Sequence, residues 1–239
     1  LIFICILHVH EIYMIFTFLG HSCFTLKTKG FTLLFDPFIT GNSLASHIDI
    51  HSIQPDYILL SHAHGDHIAD AEIIAKQSGS TIIANAEIVH YYKQKHNLEG
   101  HPMNSGGSWN FPFGKIVMTH AYHSSSFPDG SYGGNPNGFI VSNEEGTIYY
   151  SGDTSLSYDM KLLGERYSIS TAILPIGDNF TMDAVDAAKA CTFLKAKQCI
   201  GVHFDTFSYI KIHHAWVEKC FDEQSIPLIL PKIGEYYAL

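Results

Sequence analysis

The sequence predicts one α/β domain with β-sheet inside and α-helices outside. The chain has 239 residues, of which 46% are hydrophobic, so a large core can be buried. Charged residues make up only 15%, which argues against a disordered chain. Strand-like segments cluster early and alternate with helical segments later, and no repeat or linker divides the chain. Packing helices against sheet is the simplest way to bury both kinds of apolar face.

The strand predictions rest on short apolar runs bounded by turn-forming residues. Strands are predicted at residues 15–19, 23–27, 31–35, 57–60, 81–84, 115–119, 138–142, 147–150, 171–174 and 199–202. Apolar residues at helical spacing predict helices at residues 68–77, 86–96, 182–195 and 213–223. Residues 105–114 are expected to be a loop. Residues 124–137 are rich in Gly, Ser, Pro and Asn and predict a mobile loop that closes over a substrate.

The first thirteen residues differ from the rest of the sequence. An apolar run at residues 1–7 is interrupted by His8, His10 and Glu11, and it is too short to span a bilayer. It has neither the basic start nor the small-residue cleavage site of a signal peptide. Because a predicted strand begins just after Met14, we expect residues 1–13 to be an N-terminal extension to a domain at residues 14–239.

Charge and cysteine content narrow the partners and the compartment. The net charge of −9 disfavours nucleic acid as the main partner, because such binding neutralises phosphates with Lys and Arg. Five cysteines without a CxxC pair predict reduced thiols and a cytoplasmic protein. We expect a small-molecule substrate and no membrane span, and homo-oligomer formation stays open.

The strongest signal for function is the segment at residues 61–67, Ser-His-Ala-His-Gly-Asp-His. Imidazole nitrogens and carboxylate oxygens are good zinc ligands, and buried charge is expensive unless a metal or partner compensates it. A histidine-rich surface loop is the alternative interpretation. His62 and His64 are two residues apart and can turn to one ion, whereas Asp66 and His67 begin the next helix and can face a second ion roughly 3.5–4 Å away.

Local residues cannot complete two coordination shells, so ligands must come from distant segments. His123, Asp153 and His203 each follow a predicted strand, where α/β proteins tend to place their sites. Each residue alone could equally be a cap or a turn former. His120 competes with His123, and the two-residue period of a strand does not decide between them.

Three further polar residues lie at the ends of predicted strands: His21, Asp36 and Asp178. Metal-bound histidines usually donate a hydrogen bond to a carboxylate or carbonyl, so these residues are candidates to support the ligands or to contact substrate. A capping histidine, an Asp-Pro turn and a loop aspartate are the alternatives.

The order HxHxDH, His123, Asp153 in SGDT, and His203 resembles the metallo-β-lactamase superfamily. Within it the chain most resembles the UPF0173 metal-dependent hydrolases, and it is also similar to the ascorbate-phosphate lactonases. The segments that carry this closer likeness are GHSCF at 20–24, FDPF at 35–38, HSSS at 123–126 and LPIGD at 174–178. The resemblance implies an α/β fold of the αββα four-layer sandwich type, with the site between two sheets.

The resemblance also implies a ligand set. It favours His123 over His120, because His123 carries the following serines. It implies that one metal is held by His62, His64 and His123, that a second is held by Asp66, His67 and His203, and that Asp153 bridges the two.

The function expected from these residues is metal-dependent hydrolysis. Two divalent ions, with zinc expected and manganese, nickel or iron as alternatives, would share a bridging hydroxide that attacks a small ester, lactone or phosphodiester. Asp66 would be the catalytic residue that orients the nucleophile and takes its proton. No GxSxG motif supports a serine nucleophile. The alternatives are a nuclease or phosphodiesterase acting on nucleic acid, and a non-catalytic metal-binding protein on the same scaffold.

Overall fold

The computed structural model describes residues 14–239. The expected extension at residues 1–13 lies outside the described residues, so its boundary with the domain stays a prediction. Among the described residues, no helix has the length and apolar character needed to cross a membrane.

Half of the described strands form one seven-stranded sheet. They are β1 (Ile15–Gly20), β2 (Cys23–Thr28), β3 (Phe31–Phe35), β4 (Tyr57–Leu59), β5 (Thr81–Asn85), β6 (Gly100–Met103) and β14 (Tyr236–Ala238). Their order is β14-β1-β2-β3-β4-β5-β6. The pairs from β14 to β3 are antiparallel and those from β3 to β6 are parallel. The carboxyl ends of β3 and β4 therefore lie at the same edge.

The other strands form a second seven-stranded sheet. They are β7 (Ser108–Phe111), β8 (Gly114–His120), β9 (Asn137–Asn143), β10 (Gly146–Tyr150), β11 (Thr171–Pro175), β12 (Gln198–Val202) and β13 (Leu228–Ile229). Their order is the reverse of the chain order, β13-β12-β11-β10-β9-β8-β7. The pairs from β10 to β13 are parallel, so β10, β11 and β12 end at one edge.

Helices cover the outer face of each sheet. They are α1 (Gly65–Ile68), α2 (Ala71–Ser78), α3 (Ala86–His96), α4 (Asp159–Arg166), α5 (Ala184–Leu194) and α6 (His214–Asp222). One apolar cluster lies between the sheets, a second lies under α2 and α3, and a third lies under α4, α5 and α6. Three buried layers between four layers of secondary structure confirm the predicted αββα sandwich.

Aromatic rings join the two sheets near the site. Phe24 and Phe35 of the first sheet stack with ring centroids 4.4 Å apart. Tyr150 of the second sheet meets both rings edge-on, at 5.2 Å and 5.7 Å. Edge-to-face pairs are favourable beyond the area that they bury. Tyr150 is fully buried and reaches across the interface with its hydroxyl, which donates to Asp36 over 2.6 Å.

Two predicted segments differ from the structure. The helix expected at residues 68–77 is present as α2 from Ala71, and it begins three residues late because Ala69 and Asp70 separate it from α1. Asp70 accepts hydrogen bonds from Ile39 N at 2.6 Å and Thr40 N at 2.9 Å, so its side chain fixes the loop after β3. The loop expected at residues 105–114 contains β7, an edge strand whose side chains are mostly exposed and therefore show no apolar alternation.

We predict that Asp70→Ala destabilises the fold by about 3 kcal/mol, because it leaves two backbone N–H groups without their charged acceptor. Chemical denaturation measures the free energy of unfolding. Asp129→Ala is the matched control, since Asp129 is an exposed carboxylate that accepts from nearby Ser131, and it should change stability by less than about 0.5 kcal/mol. Equal effects for the two variants would contradict the anchoring role of Asp70.

Candidate metal centre

The HxHxDH segment runs from the end of β4 into α1. His64 is the N-cap of α1 and has extended backbone angles, φ −67° and ψ 147°. Asp66 and His67 lie within the helix that follows. This change of conformation divides the motif into an extended half, with His62 and His64, and a helical half, with Asp66 and His67.

The histidines of the extended half lie close to His123, which follows β8 of the second sheet. The ligand atoms of His62, His64 and His123 lie within 4.8 Å of one another. His62 Nε2 and His64 Nδ1 are 3.0 Å apart, and the His123 ring centroid is 5.1 Å from both other rings. His120 is exposed, and its ring contacts Tyr122 at 4.7 Å instead. The choice between His120 and His123 thus falls on His123.

The residues of the helical half lie close to His21, which follows β1, and to His203, which follows β12. Ligand atoms of His21, Asp66, His67 and His203 lie within 4.8 Å of one another. His21 Nε2 is 3.2 Å from Asp66 Oδ2, and its ring centroid is 4.2 Å from that of His203. His21 was expected only as a supporting or substrate-contacting residue. Its position is also suitable for direct coordination.

Asp153 lies between the two groups. Its Oδ2 atom is 3.0 Å from His203 Nε2, 3.3 Å from His67 Nε2 and 3.6 Å from His123 Nε2. The carboxylate is buried. One oxygen atom therefore contacts imidazoles from both groups, which is the arrangement that a bridging ligand requires.

Asp36 supports the centre from beneath. Its Oδ2 atom accepts from the Tyr150 hydroxyl at 2.6 Å and contacts His67 Nδ1 at 2.8 Å, while Oδ1 accepts from Ser61 N at 2.8 Å. With Nδ1 engaged in this way, His67 directs Nε2 towards Asp153. Asp36 thus orients a candidate ligand and does not face the cleft. Of the roles expected for Asp36, this geometry agrees with support of a ligand and not with contact to substrate.

Asp178 does not join the cluster. Its backbone is left-handed, with φ 61°, and its Oδ1 atom accepts from Asn179 N at 2.7 Å. It forms a turn in the loop between β11 and α5, which agrees with the alternative interpretation as a loop residue.

Sequence analysis missed several neighbours of the centre. Thr206 Oγ1 is 3.1 Å from His21 Nδ1, and Ser124 Oγ is 3.3 Å from His64 Nε2. Phe180 lines the cleft beside the ligands. The serines after His123 stood out in the sequence only as part of a resemblance, and nothing local marks Thr206 or Phe180.

The glycine-rich segment at residues 124–137 is tied to distant residues at several points, and its expected mobility stays a prediction. Asn85 Nδ2 donates to Gly133 O at 2.8 Å and to Asn135 O at 2.9 Å. Phe127 is buried and stacks on Tyr91 with ring centroids 3.7 Å apart. The partners lie tens of residues away in sequence, so composition alone could not reveal them.

Burial and charge tune the protonation of the centre. Burial, followed by repulsion from His203, lowers the pKa of His21 to about 4. Burial and the neighbouring His67 likewise hold the pKa of His62 well below its usual value. Burial disfavours ionised Asp153, but the His203 and His67 imidazoles outweigh it, and the pKa of Asp153 is held well below its usual range. Burial disfavours the charged form of His67, but the Asp153 and Asp36 carboxylates outweigh it and hold the pKa of His67 well above its usual value. An ionised Asp153 and low-pKa imidazoles at His21 and His62 suit metal ligation, whereas His67 must give up a proton when a metal binds.

The residues present fit divalent metal ions. Within residues 14–239, Asp153 Oδ1 is buried and has no hydrogen-bond partner, and buried His67 Nε2 makes no hydrogen bond although it lies 3.3 Å from Asp153 Oδ2. Buried polar atoms are rarely left unpaired, because each costs the free energy of its lost hydration. Nitrogen and oxygen donors converging on one space are the ligand types that zinc accepts.

Comparison with known proteins agrees with this geometry. The family described as Beta-lactamase superfamily domain matches residues 15–203. A UPF0173 metal-dependent hydrolase of Flavobacterium johnsoniae is 52% identical over 219 residues, which cover 92% of this chain and 97% of that protein. The chain belongs to the β-lactamase superfamily and to its UPF0173 family. It is a metal-dependent hydrolase, as both the sequence relatives and the structural neighbours indicate.

Two further proteins are similar to this chain. The UPF0173 protein YtkL of Bacillus subtilis is 46% identical over 200 residues, covering 82% of this chain and 87% of YtkL. Igni18, described as a novel metallo hydrolase from Ignicoccus hospitalis, superposes with a TM-score of 0.86 at 29% identity, covering 95% of this chain and 98% of Igni18. The recognition of the family from sequence is therefore confirmed.

We predict that Asp36→Asn weakens zinc binding about 10–100-fold, because the amide cannot hold His67 and Ser61 as the carboxylate does. Competition with a chelating dye measures the affinity, and a thermal melt shows whether the variant is folded. Asp178→Asn is the matched control and should leave zinc affinity unchanged. Unchanged affinity in folded Asp36→Asn protein would refute the orienting role.

Proposed function

We propose that the chain binds two divalent ions, with zinc as the expected metal. His62, His64 and His123 hold one ion, and Asp66, His67 and His203 hold the other, with Asp153 as the bridge. The observation that carries this proposal is the contact of Asp153 Oδ2 with His203, His67 and His123 at 3.0–3.6 Å. A single tetrahedral ion could not use seven ligands.

We propose that this centre hydrolyses a small ester, lactone or phosphodiester. Such ions supply a nucleophile by lowering the pKa of water and stabilise negative charge on a carbonyl or phosphoryl oxygen. Burial disfavours ionised Asp66, but the hydrogen bond from His21 outweighs it and holds the pKa of Asp66 well below its usual range. The carboxylate is partly exposed to the cleft, from which it would orient the attacking water. The lowered pKa keeps Asp66 ionised but makes it a weak proton acceptor, so it supports the orienting part of the expected role more than the proton transfer.

The cleft favours a small substrate over nucleic acid. Its volume is about 350 Å³, within the range of small-molecule sites. Its lining, within the described part of the chain, includes no Lys or Arg, whereas nucleic-acid sites rely on both. The open access from solvent to the ligand residues also favours catalysis over a purely structural metal site, which is closed.

A cytoplasmic location remains part of the proposal. Cys23, Cys191, Cys199 and Cys220 are free thiols in the structure, and three of them are buried. Unpaired cysteines suit a reducing compartment.

The experiment that tests the function is a hydrolysis screen of zinc-loaded protein against esters, lactones and phosphodiesters, with zinc per chain measured in parallel.

We predict that His64→Ala loses one zinc ion and at least about 100-fold in kcat/KM, because it removes a ligand that faces the cleft. His120→Ala is the matched control, an exposed histidine outside the cluster, and should behave as wild type. Full zinc content and turnover in His64→Ala would reject the centre.

We predict that Asp153→Asn retains fewer than two zinc ions per chain at equal zinc supply, because an amide is a poor bridge and no longer offsets the positive charge. Elemental analysis after dialysis measures the stoichiometry, with folding checked by circular dichroism. Asp178→Asn serves again as control. Two tightly held ions in Asp153→Asn would show that the bridge is assigned to the wrong residue.

A further inference from the structure

An aromatic side chain stands at the mouth of an otherwise polar cleft. Phe180 lines the cleft together with His64, Asp66, His123, Ser124, Asp153 and His203. It is the one apolar side chain among these described lining residues, and 53% of it is exposed to solvent. An exposed aromatic ring beside reactive groups gains free energy when a ligand covers it.

The position of Phe180 is built into the fold. Asp178 and Asn179 both have left-handed backbones, with φ 61° and 52°, and they turn the chain back after β11. Asp178 N donates to Met182 O at 3.1 Å and closes the loop. Two consecutive residues in this conformation are costly without a compensating role.

Both ends of this loop are fixed to segments that carry ligands. Met182 N donates to the carbonyl of Thr154, the residue after Asp153, at 3.1 Å. A Cβ atom on Gly177 would lie 2.1 Å from His203 O, so glycine is needed for this close approach. The loop therefore fixes the position of Phe180 relative to the candidate metal ligands.

A second ring extends the apolar surface away from the ligands. Tyr209, in the segment after β12, lies with its ring centroid 6.3 Å from that of Phe180 and is 73% exposed. Phe180 lines the cleft and Tyr209 does not, so the two rings together form an exposed apolar surface that extends beyond the cleft lining. No Lys or Arg of the described residues lines the cleft to receive a charged substituent.

We propose that Phe180, extended by Tyr209, binds an uncharged alkyl or aryl group attached to the scissile bond, so that the enzyme acts on neutral esters or lactones of apolar acids. This inference rests on the proposed function and selects a class within it. Phe180 is a specificity-determining residue: it contacts the part of the substrate that does not react.

The test measures binding of product-like probes and does not need turnover. Zinc-loaded protein is titrated calorimetrically with acetate, butanoate, hexanoate and octanoate. For wild type we expect affinity to rise about two- to fourfold per added methylene, the gain that burying a methylene supplies. In Phe180→Ala this rise should largely vanish while acetate binds as before, and Phe180→Leu should restore most of it.

Trp109→Ala is the matched control, because Trp109 is 55% exposed and lies on the edge strand β7 outside the cleft. It should keep the wild-type rise. A wild-type affinity that does not rise with chain length, or an equal loss for acetate and octanoate in Phe180→Ala, would overturn the proposal.

Zinc content and ester hydrolysis are measured on the same samples, which separates the two levels of inference. A chain-length rise with two zinc ions but no hydrolysis of any ester, lactone or phosphodiester would refute the proposed function and leave the apolar subsite standing. Hydrolysis whose KM is the same for short and long acyl chains would refute the subsite alone.

Discussion

The contact of one buried carboxylate with three imidazoles is the interaction on which the site depends. Asp153 Oδ2 lies 3.0–3.6 Å from nitrogens of His203, His67 and His123, which come from three separate segments. Placing a charge in the interior is costly unless partners compensate it. Asp153 follows β10 in the second sheet, whereas His67 follows β4 in the first, so the centre couples the two sheets directly.

The chain reaches this geometry through sharp turns at strand ends. His21, Asp36 and His203 have left-handed backbones, with φ 57°, 40° and 56°. His203 N donates to His21 O at 2.8 Å, so two of these turns support each other across the sheets. For residues with a Cβ atom this conformation costs about 1–3 kcal/mol and persists where the surroundings enforce it. Packing of the two sheets holds these residues in the left-handed conformation. The turns direct the three side chains towards the candidate metal centre.

Outside the ligands, contacts of long sequence separation hold the centre rigid. Tyr150 crosses the sheet interface to Asp36, and Asp36 holds His67. On the other side, Ser125 Oγ accepts from Ala63 N at 3.2 Å, which ties the glycine-rich segment to the backbone between His62 and His64. Ligands held in this way need little reorganisation when metal binds, and preorganised donors are the main means by which enzymes stabilise charge.

The sequence by itself determined an α/β domain with sheet inside and helices outside, together with the HxHxDH motif, because apolar periodicity and a dense local motif are written in neighbouring residues. The four-layer sandwich and the full set of seven ligands followed only from the resemblance to a family. Without the resemblance, the sequence did not decide whether His120 or His123 is a metal ligand. It also gave no reason to prefer His21 over Asp178 as a residue of the site. Tertiary structure decided these cases: His21 lies beside Asp66, while Asp178 turns away into its own loop. It also revealed Thr206 and Phe180, and it showed that residues 124–137 are anchored. The reason is physical. The direction of a side chain at a strand end depends on backbone angles and on partners far away in sequence, and the local pattern of apolar and polar residues specifies neither.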